Sequence, residues 1–226
     1  IRDRYGEQIV QEATLELKKR ASKLMRSYIS KLPDGEFEAA DWLDNDGITD
    51  DPLQLNIKLK ISGDSMTLDF TGSSPACLGP VNISRSTTIA ACYVAMKHVF
   101  PEVPANSGVL EPIDFIIDEN SILSVQAPRP VGGYTETILR IIDLVFQALA
   151  LASPELTNGC AYGTINALSL AGHKKDGNRR VMFSYYGGGH GGEPLADGFR
   201  NFIKDDFNLI TEAMLLDKAH PGSYTH

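Results

Sequence analysis

The stretch that decides the fold is LQLNIKLKISGDSMTLDF, residues 53–70. Its first half alternates leucine or isoleucine with polar residues, which is the pattern of a strand that buries one face. The segment 62–65 (SGDS) then forms a tight turn, and a short apolar strand follows it. Because such short Gly-Asp connections join antiparallel neighbours, the sequence predicts a hairpin with strands at 53–62 and 65–71.

Outward from this hairpin, strands and helices alternate only loosely along the chain. Further strands are predicted at 36–43, 113–117, 122–126, 164–172 and 181–186, the last two joined by a turn at 175–178. Helices are predicted at 5–31, at 84–98 with Asn82 or Ser84 as cap, and at 136–152 with Thr135 as cap. This order predicts an α+β fold with a mixed, largely antiparallel sheet packed against a few helices.

The first helix is long and amphipathic. Between Ile9 and Leu32 an apolar residue recurs every three to four positions, and the segment 32–35 (LPDG) ends the helix. The chain begins almost directly in this helix, without an initiator methionine, so we expect a fragment of a larger polypeptide. Residues 1–226 are predicted to form a single domain, with a helical arm at 1–32.

Composition excludes several classes of partner. The 226 residues are 42% hydrophobic and 22% charged, with a formal net charge of −8, which disfavours binding to nucleic acid or to an anionic membrane. No run of apolar residues is long enough to span a bilayer. The three cysteines are an odd number without a signal peptide, which indicates a reducing compartment and predicts a cytoplasmic protein.

One loop is unusual: residues 187–192 read GGGHGG. Glycine loses more backbone freedom on folding than any other residue, so five glycines around His190 indicate backbone that something must approach closely. The spacing fits GxGxxG, but Glu193-Pro194 follows instead of a helix, which excludes a dinucleotide fingerprint. His190 is a candidate to meet a ligand or a proton, and the alternative is a hydrogen bond to backbone.

The helix at 136–152 is apolar on most sides, which predicts that it is buried. One polar stripe runs along it through Glu136, Arg140, Asp143 and Gln147. The stripe either forms internal ion pairs, Glu136 with Arg140 and Arg140 with Asp143, or places Glu136 and Arg140 at a substrate mouth beside Gly132-Gly133. The five histidines show neither an HxH nor an HExxH spacing, so no residue is assigned as a metal ligand.

Taken together, several short motifs resemble the hydantoinase B/oxoprolinase family over residues 5–198. They are Tyr5-Gly6, LPDG at 32–35, DFTGSS at 69–74, GPVN at 79–82, Gly132-Gly133 with Glu136-Thr137, and GGGHGG at 187–192. Family members are considerably longer, and their His/Asp metal-binding motifs lie upstream of this stretch. The family's loop also continues with a basic residue where Glu193 stands, and residues 199–226 leave the family pattern. The division predicted for the chain is therefore an arm at 1–32, an α+β core at 33–198 and a divergent tail at 199–226.

The resemblance implies a part of an ATP-dependent enzyme. One branch of the family hydrolyses cyclic amides such as hydantoins, 5-oxoproline and lactams, and another carboxylates ketones such as acetone and acetophenone. The resemblance also implies an ATP-binding partner, the hydantoinase A-type component, which phosphorylates the substrate within a hetero- or homo-oligomer. ATP and a divalent metal are expected in the full complex, and neither is expected to be bound by this fragment.

The first interpretation is a cyclic-amide hydrolase in which His190 is catalytic. Its substrate-binding residues are predicted to be Gly188, Gly189, Gly191, Gly133, Glu136 and Arg140. The alternatives are the same fold within a ketone carboxylase, or a scaffold whose function is assembly with the A-type component. A scaffold would leave the apolar stripe of the first helix exposed in the isolated chain. In every case we expect the isolated chain to have no turnover.

Overall fold

The computed structural model describes residues 1–157 and 159–186. The chain divides into two compact units, Ile1–Thr157 and Asn158–His226, which we describe separately. That residues 1–226 form a single domain stays a prediction. The glycine loop and the tail at 199–226 lie outside the described residues.

The first unit contains a four-stranded sheet in the order β1-β2-β3-β4. The strands are β1 at Gly35–Leu43, β2 at Leu53–Ser62, β3 at Ser65–Asp69 and β4 at Ile113–Ile116. β2 pairs with β1 and with β3 in antiparallel fashion, whereas β4 is parallel to β3. The predicted hairpin is confirmed, and Gly63 provides the positive φ of 59° that its tight turn requires.

The two faces of this sheet differ as the alternation predicts. Leu55 and Leu59 of β2 are fully buried on the inner face, together with Leu68 of β3. On the outer face, charged residues pair across strands: Lys58 lies 3.0 Å from Glu38, and Lys60 lies 3.1 Å from Glu36. One face therefore builds the core and the other carries charge.

The helices of the described residues largely follow the predictions. They are α1 at Arg2–Tyr5, α2 at Glu7–Ile29, α3 at Arg85–Val99 and α4 at Tyr134–Ala152, and short 3-10 turns lie at Ser107–Leu110 and Pro154–Leu156. The single helix predicted for 5–31 is wrong at its start, because Gly6 has a φ of 80° that separates α1 from α2. The hydroxyl of Ser84 caps α3 by accepting from the Thr87 N–H, which confirms one of the two predicted caps.

The two halves of α2 have different environments. In the C-terminal half, Ala21, Met25 and Ile29 are fully buried. In the N-terminal half, Ile9 and Leu17 are each 57% exposed. The 3-10 turn at Ser107–Leu110 packs where the two halves meet, and it comes so close that a Cβ on Gly108 would lie 2.1 Å from the Lys18 carbonyl oxygen.

Helix α4 lies on the sheet, against β1 and β2, and also contacts α3. The predicted burial is confirmed, since Ile141, Leu144, Val145, Ala148 and Leu149 are fully buried. The predicted cap is wrong: Thr135 lies inside the helix, and Gly133 occupies the N-cap position without a side-chain cap. The helix begins earlier because its start is bonded to the segment at Pro80 and Val81.

The strand predicted for 122–126 is also wrong. Ile122, Leu123 and Val125 are buried, so the apolar run reflects the core, but the backbone forms no strand there. Instead the Ile122 N–H donates to the Ser74 carbonyl, and the Val125 N–H donates to the Ile83 carbonyl. A buried apolar segment can satisfy its backbone by such separate contacts, and periodicity alone does not distinguish it from a strand.

The second unit contains an antiparallel hairpin. Its strands are β5 at Asn166–His173 and β6 at Arg179–Tyr186, and Gly177 in the connecting turn has a φ of 80°. Both predicted strands and their turn are confirmed, and with them the α+β class.

The three cysteines are free thiols, and Cys92 is fully buried in the core, as predicted. Burial raises the pKa of the Cys92 thiol to about 12.

Among the helices that the structure describes, none is long and apolar enough to cross a bilayer.

Candidate functional site

The N-terminal end of α4 contains two of the predicted site residues, Gly133 and Glu136. The Gly133 N–H donates to the Pro80 carbonyl over 2.9 Å, and the Thr137 hydroxyl donates to the Val81 carbonyl. A Cβ on Gly133 would lie 3.4 Å from the Pro80 oxygen, in ordinary van der Waals contact, so the two segments lie side by side here. The GPVN motif therefore positions the start of α4.

The GPVN segment is itself held by a buried amide. Asn82 is fully buried, and its Nδ2 donates to the carbonyls of Cys77, Gly79 and Pro130 over 2.9 to 3.1 Å. Its Oδ1 accepts from the Cys77 N–H over 2.9 Å. The side chain thus joins the 77–82 turn to the segment that leads into α4. The sequence suggested Asn82 only as a helix cap, whereas the structure gives that role to Ser84.

A buried carboxylate supports the same turn from the other side. Asp46 accepts backbone N–H bonds from Ile48, Thr49 and Gly79 over 2.8 Å and from Leu78 over 3.1 Å. These bonds, led by that from Thr49, lower the pKa of Asp46 from 3.8 to about 2. A Cβ on Gly79 would lie 1.7 Å from the Asp46 carbonyl oxygen, so this position requires glycine.

Arg140 lies two turns further along α4 and faces β1. Its Nη2 donates to Asp143 over 2.8 Å, which confirms one of the predicted ion pairs, and its Nη1 donates to Asp41 over 3.1 Å. The Arg140 side chain is only 18% exposed. Asp41 was not predicted from the sequence, although a charged residue at an inner-face position of β1 is a visible signal.

The other predicted site residues lie outside the described residues: Gly188, Gly189, His190 and Gly191. Their roles stay predictions, as do the substrate-binding roles of Gly133, Glu136 and Arg140. What the described residues bring together is Gly133, Glu136 and Arg140 on one helix. Its end has no side-chain cap, and the partial positive charge of a helix N-terminus favours an anion or a polarised oxygen.

The DFTGSS motif serves the sheet instead. The Ser74 hydroxyl accepts from the Gln54 N–H over 2.8 Å, and the Ser73 hydroxyl accepts from the Asn56 N–H over 3.1 Å. The two serines thereby continue the hydrogen bonding of β2 beyond the end of β3. This arrangement gives the motif a structural role at residues 69–74.

A groove of about 490 Å³ lies on the outer face of the sheet, opposite α4. It is polar, with two carboxylates and an ammonium group among its lining side chains. The lining residues are Glu38, Ala39, Ala40, Asn56, Ile57, Lys58, Asp69 and Thr71. Two of them belong to the DFTGSS motif, so this motif and the end of α4 border different surfaces.

The divalent metal that the resemblance implies does not fit the described residues. Among residues 1–157 and 159–186, no three His, Cys, Asp or Glu side chains form a group that could hold a metal ion. We therefore derive no catalytic step through a metal from this part of the chain.

The profile of the family described as hydantoinase B/oxoprolinase matches residues 1–212. The chain belongs to this family. It is 30% identical, over 208 residues, to the B component of a putative D-/L-hydantoinase from Pseudomonas sp. (strain NS671), covering 87% of this chain and 35% of that protein. The resemblance seen in the motifs is thereby confirmed.

Two solved structures share the fold. The crystal structure of the ATP-dependent caprolactamase from Pseudomonas jessenii superposes with a TM-score of 0.70 at 24% identity, covering 88% of this chain and 35% of that one. An acetone carboxylase in its nucleotide-free form superposes with a TM-score of 0.77 at 14% identity, covering 88% and 29%. The chain spans about a third of the length of these relatives.

Proposed function

We propose that this chain is part of the B-type component of an ATP-dependent cyclic-amide hydrolase, which opens hydantoin, 5-oxoproline or lactam rings through a phosphorylated substrate. The observation that carries the proposal is the family match over residues 1–212. The relative named as a hydantoinase component and the likeness to a caprolactamase support the hydrolytic branch.

The proposal includes a division of labour with a partner. An A-type component binds ATP and phosphorylates the ring oxygen, which converts a poor leaving group into a good one. The B-type component then carries out the hydrolytic step: water adds to the carbon that bears the phosphorylated oxygen, the ring C–N bond breaks as the nitrogen takes up a proton, and a second water releases the phosphate. We also propose that the complete complex contains a divalent metal, and that this fragment does not bind it.

Within the chamber that holds the ring, we propose that the backbone N–H groups of Gly188, Gly189 and Gly191 bind the developing oxyanion. Bare backbone suits this task because no side chain obstructs the approach. We propose that His190 donates a hydrogen bond or a proton to the substrate. We also propose that Gly133, Glu136 and Arg140 of the α4 segment bind the substrate.

The decisive test uses the intact B-type component with its A-type partner, ATP and Mg²⁺. Hydantoin, 5-oxoproline and caprolactam are supplied separately, and ring-opened product is measured together with ADP. We expect one of these rings to be opened with stoichiometric ADP formation. Acetone and acetophenone with bicarbonate form the contrasting arm, and carboxylated product without ring opening would overturn the hydrolase proposal.

The role of His190 is tested in the same assay. A His190→Ala change is expected to lower kcat/KM by about 10²-fold or more, as for loss of a general acid or base. His173→Ala is the matched control, because His173 ends β5 and has no proposed role in the site. A kcat/KM of His190→Ala within twofold of the wild type would remove the catalytic role.

The ketone carboxylase is the second candidate. The chain shares its fold with an acetone carboxylase, a likeness that at 14% identity concerns the fold alone. Bicarbonate dependence of ATP hydrolysis in the complete complex separates the two activities. The isolated 226-residue chain is expected to be inactive in either case, and hydrolysis of 5-oxoproline or hydantoin by this chain with ATP would contradict that expectation.

The third candidate is an assembly role, which the exposure of Ile9 and Leu17 on α2 supports. Its test is co-purification: an Ile9→Ser/Leu17→Ser variant should lose the A-type component if the helix face forms that interface.

The proposal also assigns the complex to the cytoplasm, supported by the three free thiols. Cell fractionation tests this assignment, and recovery of the protein from an extracytoplasmic fraction would contradict it.

A further inference from the structure

Asp41 breaks the apolar pattern of the face on which α4 packs. Along β1 the inner-face positions are Phe37, Ala39, Asp41 and Leu43, and Asp41 stands in register with the buried Leu55 of β2. Its side chain is only 19% exposed. A carboxylate at such a position loses hydration, so the site must offer it specific partners.

Those partners come from two positions on the same face of α4. The Asp41 Oδ2 accepts from Arg140 Nη1 over 3.1 Å and from Gln147 Nε2 over 3.3 Å. Arg140 and Gln147 are seven residues apart, so side chains from positions two helical turns apart converge on one oxygen. Asp143, whose side chain is 5% exposed, bonds the other arm of Arg140 over 2.8 Å and holds it toward β1.

The helix–sheet interface around this cluster is apolar. Ile141, Leu144, Val145 and Ala148 are all buried apolar side chains. Apolar surfaces attract without direction, whereas a hydrogen-bonded charge pair is satisfied in only one position. Single polar residues within apolar interfaces set helix register in coiled coils for the same reason.

We propose that Asp41 is a positioning residue that sets the axial register of α4 on the sheet, and through it the placement of the Gly133–Glu136 end. The relevance of this end to catalysis rests on the function proposed above. Gly133 lies about 10 Å along the helix from Arg140, at 1.5 Å per residue. Its N–H donates to the Pro80 carbonyl over 2.9 Å, so an axial shift of one ångström would lengthen or break this hydrogen bond.

The experiment compares three variants of the intact B-type component. Asp41→Asn removes the charge that holds Arg140, and Gln147→Leu removes the second donor with an apolar replacement. Glu38→Gln is the matched control, because it removes a carboxylate of the same strand whose ion pair, with Lys58, lies on the opposite face. Gln147→Leu keeps the test decisive should Asp41→Asn fail to fold.

The first readout is amide hydrogen exchange, which needs no activity. We expect Asp41→Asn to accelerate exchange at the Gly133 and Glu136 amides about tenfold, with the amides of β2 unchanged. Gln147→Leu should give a smaller acceleration at the same amides, and Glu38→Gln none. Exchange at these amides equal to that of the wild type in both Asp41→Asn and Gln147→Leu would overturn the proposal.

The second readout is turnover of the folded complex with its A-type partner. We expect Asp41→Asn to lower kcat/KM about tenfold per folded enzyme, with most of the effect in kcat. A loss that only follows the decrease in folded fraction would mark a purely structural role and overturn the proposal. If the wild type opens no ring while the exchange effect persists, the proposed function fails and the register role stands.

Discussion

Helices α2 and α4 are the longest helices of the described residues, with 23 and 19 residues, and they are held in different ways. Helix α4 is buried or half-buried from Thr137 to Leu149 and is fixed by polar contacts to β1, Pro80 and Val81. Helix α2 is buried only beyond Ala21, and its N-terminal half leaves Ile9 and Leu17 exposed. Apolar periodicity therefore identified both helices, but it did not distinguish a covered stripe from an uncovered one.

The largest expected effect is a difference in stability between substitutions in the two halves of α2. Met25→Ala should lower the free energy of unfolding by about 3 kcal/mol, because it deletes a fully buried side chain. Leu17→Ala, the matched change in the exposed half, should alter it by less than about 0.5 kcal/mol. Denaturant unfolding measures both, and similar losses for the two variants would show that the exposed half is packed in solution.

The next effect concerns the close contact in the middle of α2. Gly108→Ala should cost about 2 kcal/mol, because the added Cβ would meet the Lys18 carbonyl at 2.1 Å and displace the helix. Gly172→Ala is the control, since its Cβ would meet nothing within 4 Å. Thermal unfolding compares them, and a Gly108→Ala protein as stable as the wild type would contradict the packing of this turn on α2.

The free energy of unfolding is expected to depend on pH through Asp46, which holds the turn that supports the start of α4. The pKa of Asp46 is lowered to about 2, so its contribution to stability is complete above about pH 4 and is lost as the pH falls through about 2. Asp46→Asn should therefore flatten the decline in unfolding free energy between these values. Glu16→Gln is the control, because Glu16 is an exposed carboxylate whose pKa is lowered chiefly by its hydrogen bond to Arg20. Parallel acid-unfolding curves for wild type and Asp46→Asn would disprove this role.

The smallest effect on stability is expected from the exposed end of α2. An Ile9→Ser/Leu17→Ser variant should unfold within about 1 kcal/mol of the wild type, because both side chains are already more than half exposed. Its self-association, measured by sedimentation, should decrease, since an apolar surface is removed. A large loss of stability would place this stripe inside a packed core.

Much of the fold could be predicted from the sequence because the signals were local. The alternation in 53–62 and the turn at 62–65 located β2 and β3, and the apolar face of 136–152 located α4. The segment 122–126 was misassigned because burial alone produces the same apolar run as a strand. Gly6 interrupts the first helix through its φ of 80°, a conformation that its neighbours in the sequence do not indicate.

The site was less predictable because its contacts join residues far apart in the chain. Asp46 lies in a polar segment typical of a turn, and two of its donors, Leu78 and Gly79, come from more than 30 residues away. Asp41 and Arg140 are separated by 99 positions. The family motifs located the important segments, but only three-dimensional contacts assigned DFTGSS to the sheet and GPVN to the start of α4.

The parallel pairing of β4 has a consequence for how the chain acquires its structure. Strands β1 to β3 are joined by short connections, so their contacts close small loops and can form early. The pairing of β4 with β3 must wait until residues 70–112 have been placed, including all of α3. During synthesis, strands β1 to β3 will therefore be made before α4 can cover their apolar face, and chaperones bind such exposed apolar surface.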